Sequence, residues 1–189
     1  MKQLLLMAAI ILSLQGCIFV AGAAAGAAGV AVVYDHRKLE KIALDQKIAN
    51  SIYNQIHATP EFRDNTHIEV TCFNQVVLLT GEAISPQLKQ QADGFARHTA
   101  GVTKVYNEIT IKGPTSSLTH ASDSWITTKI KTQMLATKGL ASGTIKVVTE
   151  NGSVYLLGIV SREQADIAVD IARQVAGVQR VVKIFQYTH

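Results

Sequence analysis

Ile48, Ile52 and Ile56 lie four apart among polar residues, a one-faced stripe that predicts a helix. Ile68, Val70 and Cys72 then alternate with Glu69 and Thr71, the period of a strand. Val76–Thr80 predicts a second strand, joined to the first by Phe73-Asn74-Gln75, short enough for a hairpin. Leu88, Ala92, Phe95 and Ala96 mark the buried stripe of a second helix. It opens on Ser85-Pro86, a capping residue before a proline at the first helical position. A last strand is expected over Val102–Ile111, with an ambiguous inward face because Asn107 interrupts the alternation.

The same order then comes round again. NQVVLLTG at 74–81 reappears as NGSVYLLG at 151–158, and FARHTAGVTKV at 95–105 as IARQVAGVQRV at 171–181. Offsets of this length imply two copies of one small domain rather than a solenoid. In the second copy Ile126, Ile130 and Met134 repeat the first helical stripe, and Asn151-Gly152 is a strong tight-turn signal. Ser161-Arg162-Glu163-Gln164 has the pattern of a capping box, followed by the stripe Ile167, Ala168, Ile171 and Ala172. The final strand, Val178–Tyr187, has Lys183 breaking its alternation. Gly81 and Gly158 close matching strands, which suggests positive φ or a close backbone approach. Gly101 and Gly177 are expected as C-terminal helix caps. The predicted class is α+β, two tandem αββαβ domains, each a three-stranded mixed sheet on two helices. Their expected bounds are 38–112 and 123–189, with a Pro-, Gly- and Ser-containing linker at 113–122. Domains this small are marginal alone, so some docking of the copies is expected.

Residues 1–37 read differently. A basic start, the apolar run Leu4–Leu14 and a small residue before Cys17 describe a signal peptide over 1–16. The run is short for a membrane span. Leu14-Gln15-Gly16-Cys17 resembles the bacterial lipobox, in which the Cys is lipidated and becomes the first mature residue. Ile18 stands where lipoproteins kept in the inner membrane typically carry Asp, so that resemblance favours the outer membrane. Residues 17–37 then form a lipidated Ala/Gly-rich tether, with a helix-associating membrane segment as the other reading of 18–33. With Cys17 acylated, Cys72 has no partner in the chain and is expected as a buried thiol. The formal charge of +4 is spread along the sequence, with no run resembling a nucleic-acid-binding arm.

The two copies control for each other. On the helix of the second copy, Trp125, Thr128, Thr132 and Leu135 lie opposite the buried stripe, flanked by Lys129 and Lys131. Their counterparts in the first copy are Lys47, Asn50, Asn54 and His57, all polar. The fold therefore accepts a polar outer face, and Trp125 and Leu135 are extra. An aromatic, an aliphatic and two small hydroxyls between lysines describe an interfacial helix for anionic lipid. Packing against the first copy and docking of a protein are the competing readings of the same ridge.

Catalysis finds no support in the spacing. The six histidines lie far apart, without HxxxH or HExxH, and no GxSxG, P-loop or dinucleotide motif occurs. Glu82, Asp93, Asp166 and Asp170 are expected at surface positions of helices or turns. No metal site, nucleic-acid partner or small-molecule substrate is expected.

The strand ending in Gly81 or Gly158, the AGV triplets at 100–102 and 176–178, and the valines Val105 and Val181 resemble the BON domain of bacterial envelope proteins. The resemblance covers roughly 41–111 and 123–187. LQGC, VYNEI at 105–109, SDSWITTK at 122–129 and VTENG at 148–152 are similar to a family of outer-membrane lipoproteins with two BON domains. That resemblance implies a non-enzymatic, phospholipid-binding protein facing the periplasm. No cofactor is implied beyond the covalent lipid (palmitate) on Cys17. It also implies a role in envelope integrity and at division sites, with the first helix of the second domain as the lipid-contacting element. The alternative is a periplasmic structural adaptor whose Trp125 face docks a protein or a peptidoglycan-linked partner.

Overall fold

A computed structural model describes residues 39–113 and 117–188, without the side chains of 117 and 118. The expected leader at 1–16, Cys17 and the expected Ala/Gly-rich tether lie outside the described residues. In the first domain, α1 (Leu39–Ala58) is followed by a 3-10 turn (Pro60–Phe62), β1 (Thr66–Phe73), β2 (Val76–Ala83), α2 (Pro86–His98), β3 (Lys104–Asn107) and β4 (Thr110–Ile111). The second has α3 (Ser117–Ala136), a 3-10 turn (Ser142–Thr144), β5 (Ile145–Glu150), β6 (Ser153–Val160), α4 (Arg162–Gln174) and β7 (Arg180–Tyr187). Each central strand, β2 or β6, pairs antiparallel with its hairpin partner and parallel with the strand after the helix.

The segment expected as a linker over 113–122 is helical from Ser117. The two first helices are then the same length, 20 residues each. The last strand of the first domain is broken. Asn107 turns its side chain to the Lys89 carbonyl, at 2.9 Å, and accepts the Ile109 N–H. Ile109 drops into the core, and β4 resumes pairing with β2 beyond it.

β2 is buried at every position, because both of its faces are covered. Val77, Leu79 and Ala83 pack with Ile48, Ile52, Ile56, Ala92 and Ala96 of the helices. Val76 and Leu78 point the other way, into a core shared with Tyr155, Leu157 and Ile184. In β6, Val154, Leu156 and Val160 meet their own helices. The sheets therefore pack face to face with helices outside. Asn74 Nδ2 to Gln186 Oε1 at 2.7 Å, and Arg180 Nη2 to Glu108 Oε2 at 3.0 Å, join the domains at the edges of this core.

The paired glycines divide into two roles. A Cβ on Gly81 (φ +100°) would stand 1.9 Å from the His67 carbonyl oxygen, and one on Gly158 2.8 Å from that of Thr144. Close approach is thus common to both, and positive φ belongs to Gly81 alone. Gly101 and Gly177 do not cap the helices, which end with Thr99 and Val175 as cap residues. Each sits third in the following turn, closed by Val102 N–H to Thr99 O and by Val178 N–H to Val175 O at 3.2 Å. With φ near +90°, this is the glycine position of a type II turn.

Candidate functional site

α3 is held by its apolar stripe: Ile126, Ile130 and Met134 are each no more than 1% exposed. Every residue expected on the outer face, and both lysines, is exposed. Trp125 and Leu135 are 52% and 51% exposed, so neither is packed beneath the first domain. At 100° per residue, Trp125, Thr128, Thr132 and Leu135 fall within an arc of about 80°, with Lys129 and Lys131 beyond its two edges. Thr128 Oγ1 donates to the Ser124 carbonyl and Thr132 Oγ1 to that of Thr128, both at 2.9 Å. These hydroxyls are already satisfied, which lowers the cost of taking them out of water.

One residue the sequence reading missed fixes this helix to its sheet. Asp123 is buried on α3 and accepts the Asn151 and Gly152 N–H groups at 2.7 and 2.9 Å. Asp45 does the same on α1, accepting the Asn74 and Gln75 N–H groups at 2.7 and 2.8 Å. All four turn residues have positive φ, the geometry of a type I′ hairpin. The signal was present: a carboxylate one turn before Ile48 and one turn before Ile126, in both copies. Cys72 is buried as expected, and its thiol donates to Asp45 Oδ1 at 3.4 Å. Burial, with Asp45 adding to it, pushes that thiol up to about 12, so it is inert as a nucleophile.

Glu82 corrects the surface assignment of the carboxylates. It is 0% exposed, at the joint between domains, because β2 runs on between the two sheets. Its Oε1 accepts the Asn151 side-chain amide at 2.5 Å and lies 3.7 Å from Lys112 Nζ. Asp166 and Asp170 are exposed, and Asp93 pairs with Arg97 on its own helix. Among the described residues no three His, Cys, Asp or Glu side chains are grouped to hold a metal. No helix among them is long and apolar enough to cross a membrane.

Two αββαβ units, each with a hairpin pinned by a helical Asp, define a tandem α+β protein. The BON domain matches residues 44–113 and 122–188, and the chain belongs to the BON-domain family. It is a dual-BON protein similar over nearly its whole length to Outer membrane lipoprotein DolP of Haemophilus influenzae. The two are 32% identical over 187 residues, covering 99% of this chain and 96% of that protein. It is also 35% identical over 143 residues to the 21 kDa hemolysin of Actinobacillus pleuropneumoniae, covering 76% and 74% of the two chains. With Osmotically-inducible protein Y of Escherichia coli K12 it shares 33% over 120 residues, 62% and 60% of the two. None of these names is that of an enzyme.

Proposed function

We propose that the chain is a non-enzymatic outer-membrane lipoprotein, anchored by lipid on Cys17 and facing the periplasm, whose second domain lays α3 on anionic phospholipid. The observation that carries this reading is the ridge of Trp125 and Leu135, half-exposed on one arc of α3 between two exposed lysines. A Trp ring has an apolar body and a polar N–H and favours the headgroup level, while lysines at the edges reach phosphate. Such a helix holds weakly alone, and a lipid on Cys17 supplies the second anchoring signal. The name of the Haemophilus relative supports the anchor and the location. Roles in envelope integrity and at division sites belong to the same reading.

The test removes the anchor and then the ridge. In a Cys17→Ser background, Trp125→Glu should weaken binding to phosphatidylglycerol-containing vesicles by at least about tenfold. The melting temperature should stay unchanged, because the ring is outside the core. If Trp125→Glu binds these vesicles as the parent does, the lipid reading fails and the face is left for a protein partner.

A further inference from the structure

Two carboxyls oppose each other across the joint between the domains. Glu82, near the end of β2, has no exposed surface, and Glu150, at the end of β5, keeps 6%. The Asn151 amide lies between them, donating to Glu82 Oε1 at 2.5 Å and to Glu150 Oε1 at 3.0 Å. Its backbone N–H is taken by Asp123.

Comparison of the copies shows that the fold does not need acids here. Gly81 matches Gly158, so the counterpart of Glu82 is Ile159; the hairpins match likewise, so the counterpart of Glu150 is Phe73. Phe73 and Ile159 both belong to the interdomain apolar core. One half of a pseudo-symmetric joint is therefore apolar, and the other half holds two buried carboxyl groups.

The surroundings favour a proton on one of them. Glu150 is faced by Glu82 from β2, Glu69 from β1, Asp123 from α3 and Lys112 from the segment after β4. His120 of α3 lines a cleft of about 420 Å³ together with Glu69, Asp123 and Glu150. Lys112, 40% exposed, faces these carboxyls, and His67, opposite Glu82 in the β1–β2 ladder, stacks on His120 with ring centroids 4.8 Å apart. Burial first, and Glu82 next, push the Glu150 carboxyl up to about 7.

We propose that Glu150 is a proton-operated latch on the domain joint. While it carries a proton the two sheets stay docked, and when it ionises its repulsion from Glu82 loosens them. The apolar remainder of the joint, Leu78, Leu157 and their neighbours, does not titrate and keeps the domains associated. The latch also reaches α3, because Asn151 is gripped by Asp123 of that helix through its backbone and by both carboxyls through its side chain.

The test is methyl NMR of the full chain in detergent micelles from about pH 5.5 to 8.5, a range spanning the expected titration. Methyl resonances of Leu78 and Leu157 should titrate together with a midpoint near that of Glu150. Nuclear Overhauser contacts between the domains should weaken above it. Glu150→Gln should abolish the titration and keep the contacts throughout. Glu82→Gln, which removes the opposing charge and keeps the shape, should lower the midpoint by about one pH unit. Methyl shifts indifferent to pH in the parent, an unchanged titration in Glu150→Gln, or an unmoved midpoint in Glu82→Gln would each overturn the latch.

Discussion

α1 and α3 are equal in length, hold their sheets with the same stripe and pin their hairpins with the same aspartate. They differ on the side the fold leaves free. On α1 the outer arc carries Lys47, Asn50, Asn54 and His57, all exposed. Of its large exposed apolar residues, Leu39 meets the edge of that arc at the first helical residue, while Tyr53 and Leu44 lie about 40° and 60° outside it; Tyr53 stacks on His57 with ring centroids 3.7 Å apart. On α3 the exposed apolar residues share the arc, and at the position matching Tyr53 stands Lys131. The lesson lies in arrangement more than in hydrophobicity. Scattered apolar groups are ordinary on a surface, whereas an aligned pair bounded by cations is a surface with a direction.

The comparison breaks hardest where the two copies are held by geometry. Gly81→Ala forces a Cβ into the His67 carbonyl at positive φ, and should cost about 3 kcal/mol or more. Gly158→Ala meets a looser contact without positive φ and should cost about half as much. Denaturant unfolding of the two variants measures the difference; equal costs would mean that the first domain relaxes around the clash.

The pinning aspartates come next. Asp45→Ala and Asp123→Ala each strip a carboxylate from two turn N–H groups and should each destabilise by about 2–4 kcal/mol. Gln75 occupies a positive-φ position that Gly152 fills in the other copy, so Asp45→Ala should be the costlier of the pair. A reversed order in thermal melts would show that the backbone strain at Gln75 is relieved elsewhere.

These residues also show what was legible in the chain. Helix and strand periods, the duplication and the outer arc of α3 could be read directly, because each depends on local spacing. The unbroken apolar runs of β2 and β6 carry the signal of burial on two faces, whereas the alternation in β1 signals burial on one. The joint was therefore anticipated as docking, without its surface. Glu82 was misplaced for the same reason: a carboxylate after a strand glycine reads as a turn residue until a second sheet covers it.

Glu150 gives the comparison a pH axis. Its carboxyl ordinarily titrates near 4.5 and in the folded protein near 7, so the native state binds the extra proton between these values. Its contribution to stability is therefore full below about pH 4.5, declines as pH rises toward 7 and is flat above. The loss should be on the order of 1–3 kcal/mol, screening at the rim of the cleft keeping it low. Melting of Glu150→Gln across that range should show a shallower slope than the parent; parallel slopes would place the proton elsewhere.

The smallest effects separate a directed face from general attraction. Lys129→Gln or Lys131→Gln should each weaken binding to anionic vesicles by about 1 kcal/mol, roughly fivefold. Lys47→Gln removes the same charge from the matching arc of α1, beside no apolar ridge. If α3 lies on the membrane, Lys47→Gln should change affinity far less, since a charge held more than a Debye length from the surface is screened. Raising the salt should shrink the Lys129 and Lys131 effects and leave the Trp125→Glu loss largely in place, because burial of the ring is not electrostatic. Equal losses at all three lysines, vanishing together with salt, would mean that the net charge of the chain draws it to the membrane and that the ridge on α3 is turned toward something else.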